Sequence, residues 1–232
     1  MKNNVQLMTY IDRLTGSDTQ TLNNILNDQL ANLFSGVHLL PFYYPIDGSD
    51  AGFDPIDHTQ VDSRLGDWND VKKLGEGYEL MADLIVNHMS AQSKEFKDVL
   101  ENGKESPYWD LFLTKDKVFP NGLSSEEFEK IYRPRPGSCF TTFALPNNES
   151  ADFWTTFTDN QIDIDITSEL GKDYLLRILK TFSENNIKSI SRALNEISKQ
   201  QKIIISAHPK FSEMIEKFNI SFEKNVTLSK PF

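Results

Sequence analysis

The first 88 residues alternate between short apolar runs and segments in which apolar residues recur every three or four positions. The apolar runs are residues 5–10, 37–40 and 80–86. Runs of this length and composition are typical of strands that are buried in a parallel sheet. Pro41 stops the second run, and the third run leads directly into Asn87 and His88. The pattern therefore predicts three strands, the last of which ends in polar side chains.

The segments between these runs have the spacing and the end signals of helices. After Asp18 or the serine before it, leucine and isoleucine recur at helical spacing until Gly36 closes the segment. A shorter helix is predicted at about residues 68–74, ended by Gly75 and Gly77. Because strand and helix alternate with short links, we expect βαβ units and a parallel sheet in an α/β fold.

The pattern changes after His88. Residues 89–167 are rich in proline, aromatic and charged residues, and they are too many to form a loop without structure of its own. We interpret them as a small subdomain that is inserted after the third strand, between the first βα units at 1–88 and further units at 168–232. Helical spacing returns at residues 174–182. Later strands are predicted at 187–190, 203–205 and 226–228, and later helices at about 192–199 and 211–218.

Composition and charge narrow the possible partners. The 232 residues carry a formal net charge of -10, which argues against nucleic acid or an anionic membrane as the main partner. Cys139 is the single cysteine, so an internal disulfide is excluded and a reducing, cytoplasmic location is expected. No long apolar stretch follows Met1, so we expect no signal peptide, and no apolar run reaches membrane-spanning length.

Four strings of residues resemble the sucrose phosphorylases, a branch of the α-amylase family (glycoside hydrolase family 13). They are DGSDAGFDPIDH at 47–58, DLIVNHMS at 83–90, YRPRPG at 132–137 and WTTFTDNQIDID at 154–165. The Asp-x-x-x-Asn-His ending of the second string is shared by the wider family, whereas the last two strings point to the phosphorylase branch. Since the strings agree in order and spacing, we take the resemblance to extend from residue 1 to about 188.

The resemblance implies an incomplete (β/α)₈ TIM barrel, because a whole barrel needs roughly 250 residues without insertions. It also implies that a glucosyl group is transferred from sucrose to phosphate without a cofactor, so sucrose, phosphate and glucose 1-phosphate are the expected small-molecule partners. Enzymes that retain the anomeric configuration use two carboxyl groups about 5–5.5 Å apart, one as the nucleophile and one as the acid/base.

The sequence departs from the family where these two carboxylates belong. The family nucleophile is the aspartate of an Arg-x-Asp-Ala motif, but the corresponding stretch here reads Ser191-Arg192-Ala193, so the motif is disrupted near Ala193. The chain ends about where the acid/base glutamate is expected, and Lys230 is a poor substitute. We therefore expect no catalytic residue, and an inactive remnant is favoured over an active enzyme. A protein that pairs with a full-length copy is a third alternative.

The resemblance implies that five residues hold the glucose ring. They are Asp50, Phe53, His88, Phe157 and Gln161. An ionised carboxylate accepts bonds from two neighbouring hydroxyls, and an imidazole or amide can donate to another. The two phenylalanines would be apolar platforms for the sugar face. The alternatives are ordinary structural roles: a loop-capping aspartate, a satisfied histidine, core aromatic rings and an amide that bonds to the loop backbone.

Tyr132 and Arg135 are candidates for binding the phosphate acceptor. Phosphorolysis needs a cation near the incoming anion, and the forked donors of an arginine suit phosphate. Pro134 and Pro136 stiffen the loop that carries Arg135. The alternative is an exposed arginine in a proline-rich turn.

A metal site is not expected. The acidic residues Asp47, Asp54, Asp57 and Asp62 raise the possibility of bound calcium, but their spacing does not fit an EF-hand loop. The four histidines also lack the spacing of zinc ligands.

Overall fold

A computed structural model of the chain describes residues 5–133, 135–185 and 187, together with the backbone of two later strands. The chain divides into two compact units. The first is built from the described parts of residues 1–44, 59–84 and 176–232, and the second from residues 45–58 and 85–175.

Short strands and helices make up both units. In chain order they are β1 (Gln6–Thr9), α1 (Ile11–Thr15), α2 (Thr19–Asn27), β2 (Gly36–Leu39), β3 (Tyr43–Tyr44), β4 (Asp57–Val61), α3 (Trp68–Gly77), β5 (Glu79–Ala82), β6 (His88–Ser90), α4 (Lys94–Asn102), α5 (Lys115–Val118), α6 (Ser125–Glu129), β7 (Phe140–Ala144), β8 (Ser150–Trp154), β9 (Gln161–Asp163), α7 (Glu169–Glu184), β10 (Ile203–Ser206) and β11 (Val226–Ser229).

The first unit contains the predicted parallel sheet, with the strand order β1-β2-β5. The prediction that Gly36 closes a helix is wrong, because Gly36 is the first residue of the central strand β2. A Cβ atom at this position would meet the Gln6 side chain in β1 and would lie 2.7 Å from the carbonyl oxygen of Glu79 in β5. Glycine is therefore required where the three strands approach one another.

The two helices predicted in this unit are present with different ends. Asp18 caps α2 by accepting a hydrogen bond of 2.8 Å from the backbone amide of Thr21. The helix ends at Asn27, and its buried face is formed by Leu22 and Leu26. The second predicted helix, α3, continues to Gly77 and so includes both glycines that the sequence placed at its end.

The third predicted strand, residues 80–86, is shorter than its apolar run. Strand β5 ends at Ala82, because its neighbour β2 ends opposite it at Leu39 and offers no further ladder partner. The carboxylate of Asp83 then lies 3.2 Å from Nε2 of His38, and the Tyr43 hydroxyl donates to the Asp83 carbonyl oxygen at 2.7 Å. The polar contacts after β5 thus begin at Asp83, five residues before His88.

The second unit is held by two antiparallel strand pairs, β6 with β9 and β7 with β8. Its core is a cluster of aromatic rings around Phe96, which meets the rings of Phe112, Phe143 and Phe153 edge-on at centroid distances of 5.0, 4.9 and 5.0 Å. This unit includes residues 45–58, which the sequence assigned to the first βα units. The interpretation of residues 89–167 as an inserted subdomain stays a prediction.

The C-terminal part of the chain is described only in places. Helix α7 confirms the helix predicted at residues 174–182, and the parallel pair β10 and β11 confirms two later strands. The predicted helices at 192–199 and 211–218, and the strand at 187–190 except Ile187, lie outside the described residues. Among the helices that the structure does describe, none is both long and apolar enough to cross a membrane.

Candidate functional site

The loop at residues 47–54 is shaped by the buried carboxylate of Asp54. Oδ2 accepts hydrogen bonds from the amide and the hydroxyl of Ser49, both at 2.9 Å, and Oδ1 accepts one from the amide of Asp50 at 3.1 Å. Asn160 adds a fourth bond by donating from Nδ2 to Asp54 Oδ2 at 3.0 Å. All four partners are donors, so an ionised acceptor is the group that this position requires.

The backbone of the same loop depends on small residues. A Cβ atom on Gly48 would collide with the Asp54 carboxylate. Ala51 and Gly52 have positive φ angles of 53° and 84°, a region that residues with larger side chains rarely adopt. These constraints fix the direction in which the Asp50 side chain leaves the loop.

The Asp50 carboxylate is shared between two donors from distant parts of the second unit. Arg135 Nη2 donates to Oδ1 at 2.7 Å, and Gln161 Nε2 donates to Oδ2 at 3.0 Å. Gln161 is fully buried in β9, and its amide oxygen accepts a bond of 2.8 Å from Thr158 Oγ1. Asp50, Arg135 and Gln161 are therefore brought together as a connected set.

His88 is buried beside this set and is neutral. Its Nε2 lies 2.7 Å from the carbonyl oxygen of Phe53 and 3.0 Å from the amide nitrogen of Gln161. The two amide hydrogens of Gln161 have acceptors in Asp50 Oδ2 and the Phe53 carbonyl oxygen. Because that carbonyl can only accept, we assign the proton of His88 to Nε2. Burial lowers the pKa of His88, although the Phe53 carbonyl and the carboxylates of Asp50 and Asp54 act in the opposite direction. Its other nitrogen, Nδ1, has no hydrogen-bond partner among the described residues and is left as an acceptor.

Phe53 and Phe157 were predicted as platforms for the sugar face, and their contacts in the structure differ. The ring of Phe157 is half-buried and meets the His88 ring edge-on at a centroid distance of 5.3 Å. Phe53 reaches His88 and Gln161 through its carbonyl oxygen, at 2.7 and 3.3 Å. The Phe53 ring makes no aromatic contact within the described residues, so its role as a platform stays a prediction.

The two acceptor-site candidates also differ. Arg135 contacts Asp50 and, together with Arg133, lines an open groove of about 470 Å³. Tyr132 is 87% exposed, and its side chain makes no hydrogen bond or ring contact with any residue that the structure describes. The structure thus places Arg135 at the sugar-site candidates but does not bring Tyr132 to them.

Sequence reasoning missed Arg133 and Asp163. The guanidinium of Arg133 contacts three successive carbonyl oxygens, those of Thr155, Thr156 and Phe157. Burial raises the pKa of Asp163 to about 7, against the opposing effect of its bonds to Thr156. Both residues lie inside the strings that carry the resemblance, but only their long-range contacts distinguish them from their neighbours.

The remaining predictions concern catalysis and metals. The disrupted nucleophile position near Ala193 lies outside the described residues. Within the described ranges, no group of three or more His, Cys, Asp or Glu side chains could hold a metal ion. Of the candidate calcium ligands, Asp54 is used by the loop and Asp62 bonds to Arg64 at 2.7 Å.

The described site combines a carboxylate, a primary amide and a neutral imidazole beside an aromatic ring. Such a set offers directional donors and acceptors to the hydroxyls of a neutral polar ligand. The family model "Alpha amylase, catalytic domain" matches residues 28–227. The chain therefore belongs to the α-amylase family, whose solved members are α/β TIM barrels.

Within that family the chain is similar to sucrose phosphorylases. It is 52% identical to the one from Agrobacterium vitis and 47% identical to the one from Bifidobacterium adolescentis, in each case over 190 residues. These matches cover 82% of this chain but only 39% and 38% of the two relatives. The chain thus spans about two-fifths of the length of these curated relatives.

A solved structure gives the same result for the fold. The crystal structure of sucrose 6F-phosphate phosphorylase from Thermoanaerobacter thermosaccharolyticum matches with a TM-score of 0.79 and 30% sequence identity. The match covers 98% of this chain and 48% of that one. The resemblance predicted from the four strings is confirmed by these comparisons.

Proposed function

We propose that the cluster around Asp50 binds the glucosyl ring in a sucrose phosphorylase-like transfer from sucrose to phosphate. The observation that carries the proposal is the shared Asp50 carboxylate, which Gln161 fixes at 3.0 Å beside the neutral, buried His88. The carboxylate can accept hydrogen bonds from adjacent hydroxyls of a sugar, and the neutral amide and imidazole beside it can bond to further hydroxyls. Phe157, whose ring contacts His88, supplies an apolar wall for the sugar face.

Arg135 is the phosphate-binding group in this proposal. Its guanidinium is about half exposed and lines the groove of about 470 Å³, so an incoming anion can reach it. A guanidinium presents paired N–H donors that match phosphate oxygens. Its present partner Asp50 is the carboxylate assigned to the sugar. In this proposal, sucrose therefore binds the acidic member of the ion pair and phosphate binds the basic member.

The chain itself is proposed to be inactive. A retaining transfer needs a nucleophilic carboxylate, and the Arg-x-Asp-Ala motif that carries it in the family is disrupted near Ala193. We place residues 1–88 and 168–232 in an incomplete (β/α)₈ barrel and residues 89–167 in an inserted subdomain. A cytoplasmic location is supported by the single cysteine.

The test compares ligand binding with turnover in the full chain. Calorimetric titration with sucrose and with glucose is expected to give dissociation constants on the order of 1 mM, as for a weak small-ligand site. Asp50→Ala should abolish this binding, whereas Asp116→Ala, which removes an exposed carboxylate of the same unit, should not. Incubation with sucrose and phosphate should yield no glucose 1-phosphate. Failure of both sugars to bind would refute the sugar-site proposal, and turnover would refute the proposed inactivity.

A further inference from the structure

Arg133 holds the backbone segment 155–157 from one side. Its Nη2 lies 3.2 Å from the carbonyl oxygen of Thr155 and 3.3 Å from those of Thr156 and Phe157. Three successive carbonyls therefore converge on one guanidinium nitrogen. Charged donors of this kind bind more strongly than neutral ones, so the segment is anchored by its acceptors.

Asp163 holds the same segment from the other side. Its carboxylate accepts a bond of 3.0 Å from the Thr156 amide and a second, short bond from the Thr156 hydroxyl. That hydroxyl oxygen also accepts a bond of 3.1 Å from Trp154 Nε1. Asp163 lies in β9 opposite His88 in β6, so the segment is tied to the strand pair that carries the histidine.

From this arrangement we propose that Arg133 and Asp163 are positioning residues that fix the ring of Phe157 against His88. The last residue of the clamped segment is Phe157, and its ring meets the His88 ring at 5.3 Å and 70°. Neither Arg133 nor Asp163 is assigned to the sugar ring, although Arg133 also lines the groove beside Arg135. They act through the backbone by setting where the apolar wall of the site stands, so the inference rests on the proposed sugar site.

The reason for such a clamp is geometric. Aromatic contacts with a flat apolar face require the ring to be held within a fraction of an ångström, and a ring on a loop is less precise than one on a regular element. Segment 155–157 lies between β8 and β9 and has no ladder of its own. The backbone beside Phe157 is held instead by side-chain hydrogen bonds, in which Arg133 donates and Asp163 accepts.

The first measurement does not depend on sugar. In the isotopically labelled full chain, nuclear Overhauser contacts between the Phe157 and His88 rings report their packing, and the His88 ring protons carry the ring-current shift. Both signals should be lost in Arg133→Met and strongly reduced in Thr156→Val. Thr156→Ser keeps the amide and hydroxyl donors to Asp163, so it should restore the wild-type signals.

The second measurement is the affinity for glucose by calorimetry. We expect Arg133→Met to weaken binding about tenfold and Thr156→Val about threefold, with Thr156→Ser within about twofold of wild type. Lys130→Met and Thr142→Val are matched controls, because each removes a surface cation or hydroxyl from the same unit, outside the clamp. Both controls should bind glucose as the wild type does.

The two measurements separate the clamp from the sugar site. If the ring contacts disappear in the variants but the wild type binds no glucose, the clamp stands and the proposed function fails. If Arg133→Met does not fold, judged by circular dichroism, the near-isosteric Thr156→Val decides. Unchanged ring contacts and unchanged glucose affinity in a folded Thr156→Val chain would overturn the inference.

Discussion

Arg135 Nη2 and Asp50 Oδ1 lie 2.7 Å apart and form an ion pair at the proposed sugar site. The Asp50 side chain is 22% exposed and the Arg135 side chain 49% exposed, so water and ligands can reach the pair. A sugar hydroxyl that binds Asp50 competes with the guanidinium for Oδ1. An anion that binds Arg135 draws the same guanidinium away. The pair therefore couples the two proposed ligands through one exchangeable contact.

Replacing Arg135 should separate these two ligands. An exposed ion pair contributes only about 0.2–1 kcal/mol, so Arg135→Gln should strengthen glucose binding by less than about fivefold. Phosphate binding should fall by about tenfold or more, because the forked cation is lost. Calorimetric titrations with glucose and with phosphate test both effects. Lys130→Gln is the control for a change of net charge, and an equal loss of phosphate affinity in that variant would contradict a specific role for Arg135.

The buried carboxylate of Asp54 should be intolerant even of the isosteric Asp54→Asn change. All four of its partners are donors, so an amide nitrogen must face at least one N–H or O–H group. A buried donor left without an acceptor costs about 1–3 kcal/mol, and we expect the free energy of unfolding to fall by about that amount. Chemical denaturation checks the stability.

Sugar binding gives a second test of Asp54. The loop that it shapes carries Asp50, so Asp54→Asn should also weaken glucose binding measured by calorimetry. Asp116→Asn, an exposed change in the same unit, should alter neither stability nor affinity. A fully stable Asp54→Asn chain with wild-type affinity would show that the loop does not depend on this carboxylate.

The sequence predicts some residues of this site, because they lie in strings that resemble a known family. It misses the roles that depend on contacts between distant parts of the chain. Asp50 and Gln161 are 111 residues apart, and only the resemblance of their strings to a known family paired them. Arg133 and Arg135 occupy the same string two positions apart. One contacts backbone carbonyls and the other an exposed carboxylate, and this difference is set by segments far away in the sequence.

For helices and strands, too, some features follow from the local sequence and others depend on distant contacts. Spacing and an N-cap found α2, because Leu22 and Leu26 bury one face and Asp18 accepts from the first turn. The end of β5 could not be predicted from its own apolar run, because it is set by the end of the neighbouring strand β2. Local pattern thus predicts that α2 and β5 exist, whereas the neighbouring strand decides how far β5 continues.

Asp163 should make the stability of the chain depend on pH. Its pKa in the folded protein is raised from 3.8 to about 7 by burial, so the folded state binds this proton more tightly than the unfolded state does. The stabilisation is therefore complete below about pH 4 and is lost as the pH rises to about 7, with an upper limit on the order of 4 kcal/mol.

Asp163→Asn isolates this contribution, since the amide imitates the protonated acid at every pH. Melting temperatures of the wild type and the variant should agree below about pH 4 and diverge between about pH 4 and pH 7, with the variant more stable at the alkaline end. Asp116→Asn serves as the control for the loss of one acidic residue. A wild-type curve that runs parallel to that of Asp163→Asn would show that Asp163 does not titrate in this range.

His88 should remain neutral, with its proton on Nε2, at pH values where a free histidine is charged. Burial lowers its pKa below 6.5, and the Phe53 carbonyl at 2.7 Å selects the Nε2 tautomer. Long-range proton–nitrogen spectra of the labelled chain should show a protonated Nε2 and a bare Nδ1 down to at least pH 6.5. Because the folded state resists this proton, its contribution to stability is lost as the pH falls.

The charge of Asp50 provides an internal check on the His88 titration. That carboxylate raises the pKa of His88 against the effect of burial, so Asp50→Asn should move the titration midpoint to still lower pH. Asp116→Asn should leave the midpoint where it is. A midpoint above 6.5, or a proton on Nδ1, would mean that His88 presents a donor rather than an acceptor at its free nitrogen. The proposed sugar site would then need a hydroxyl oxygen, instead of a hydroxyl proton, to face this residue.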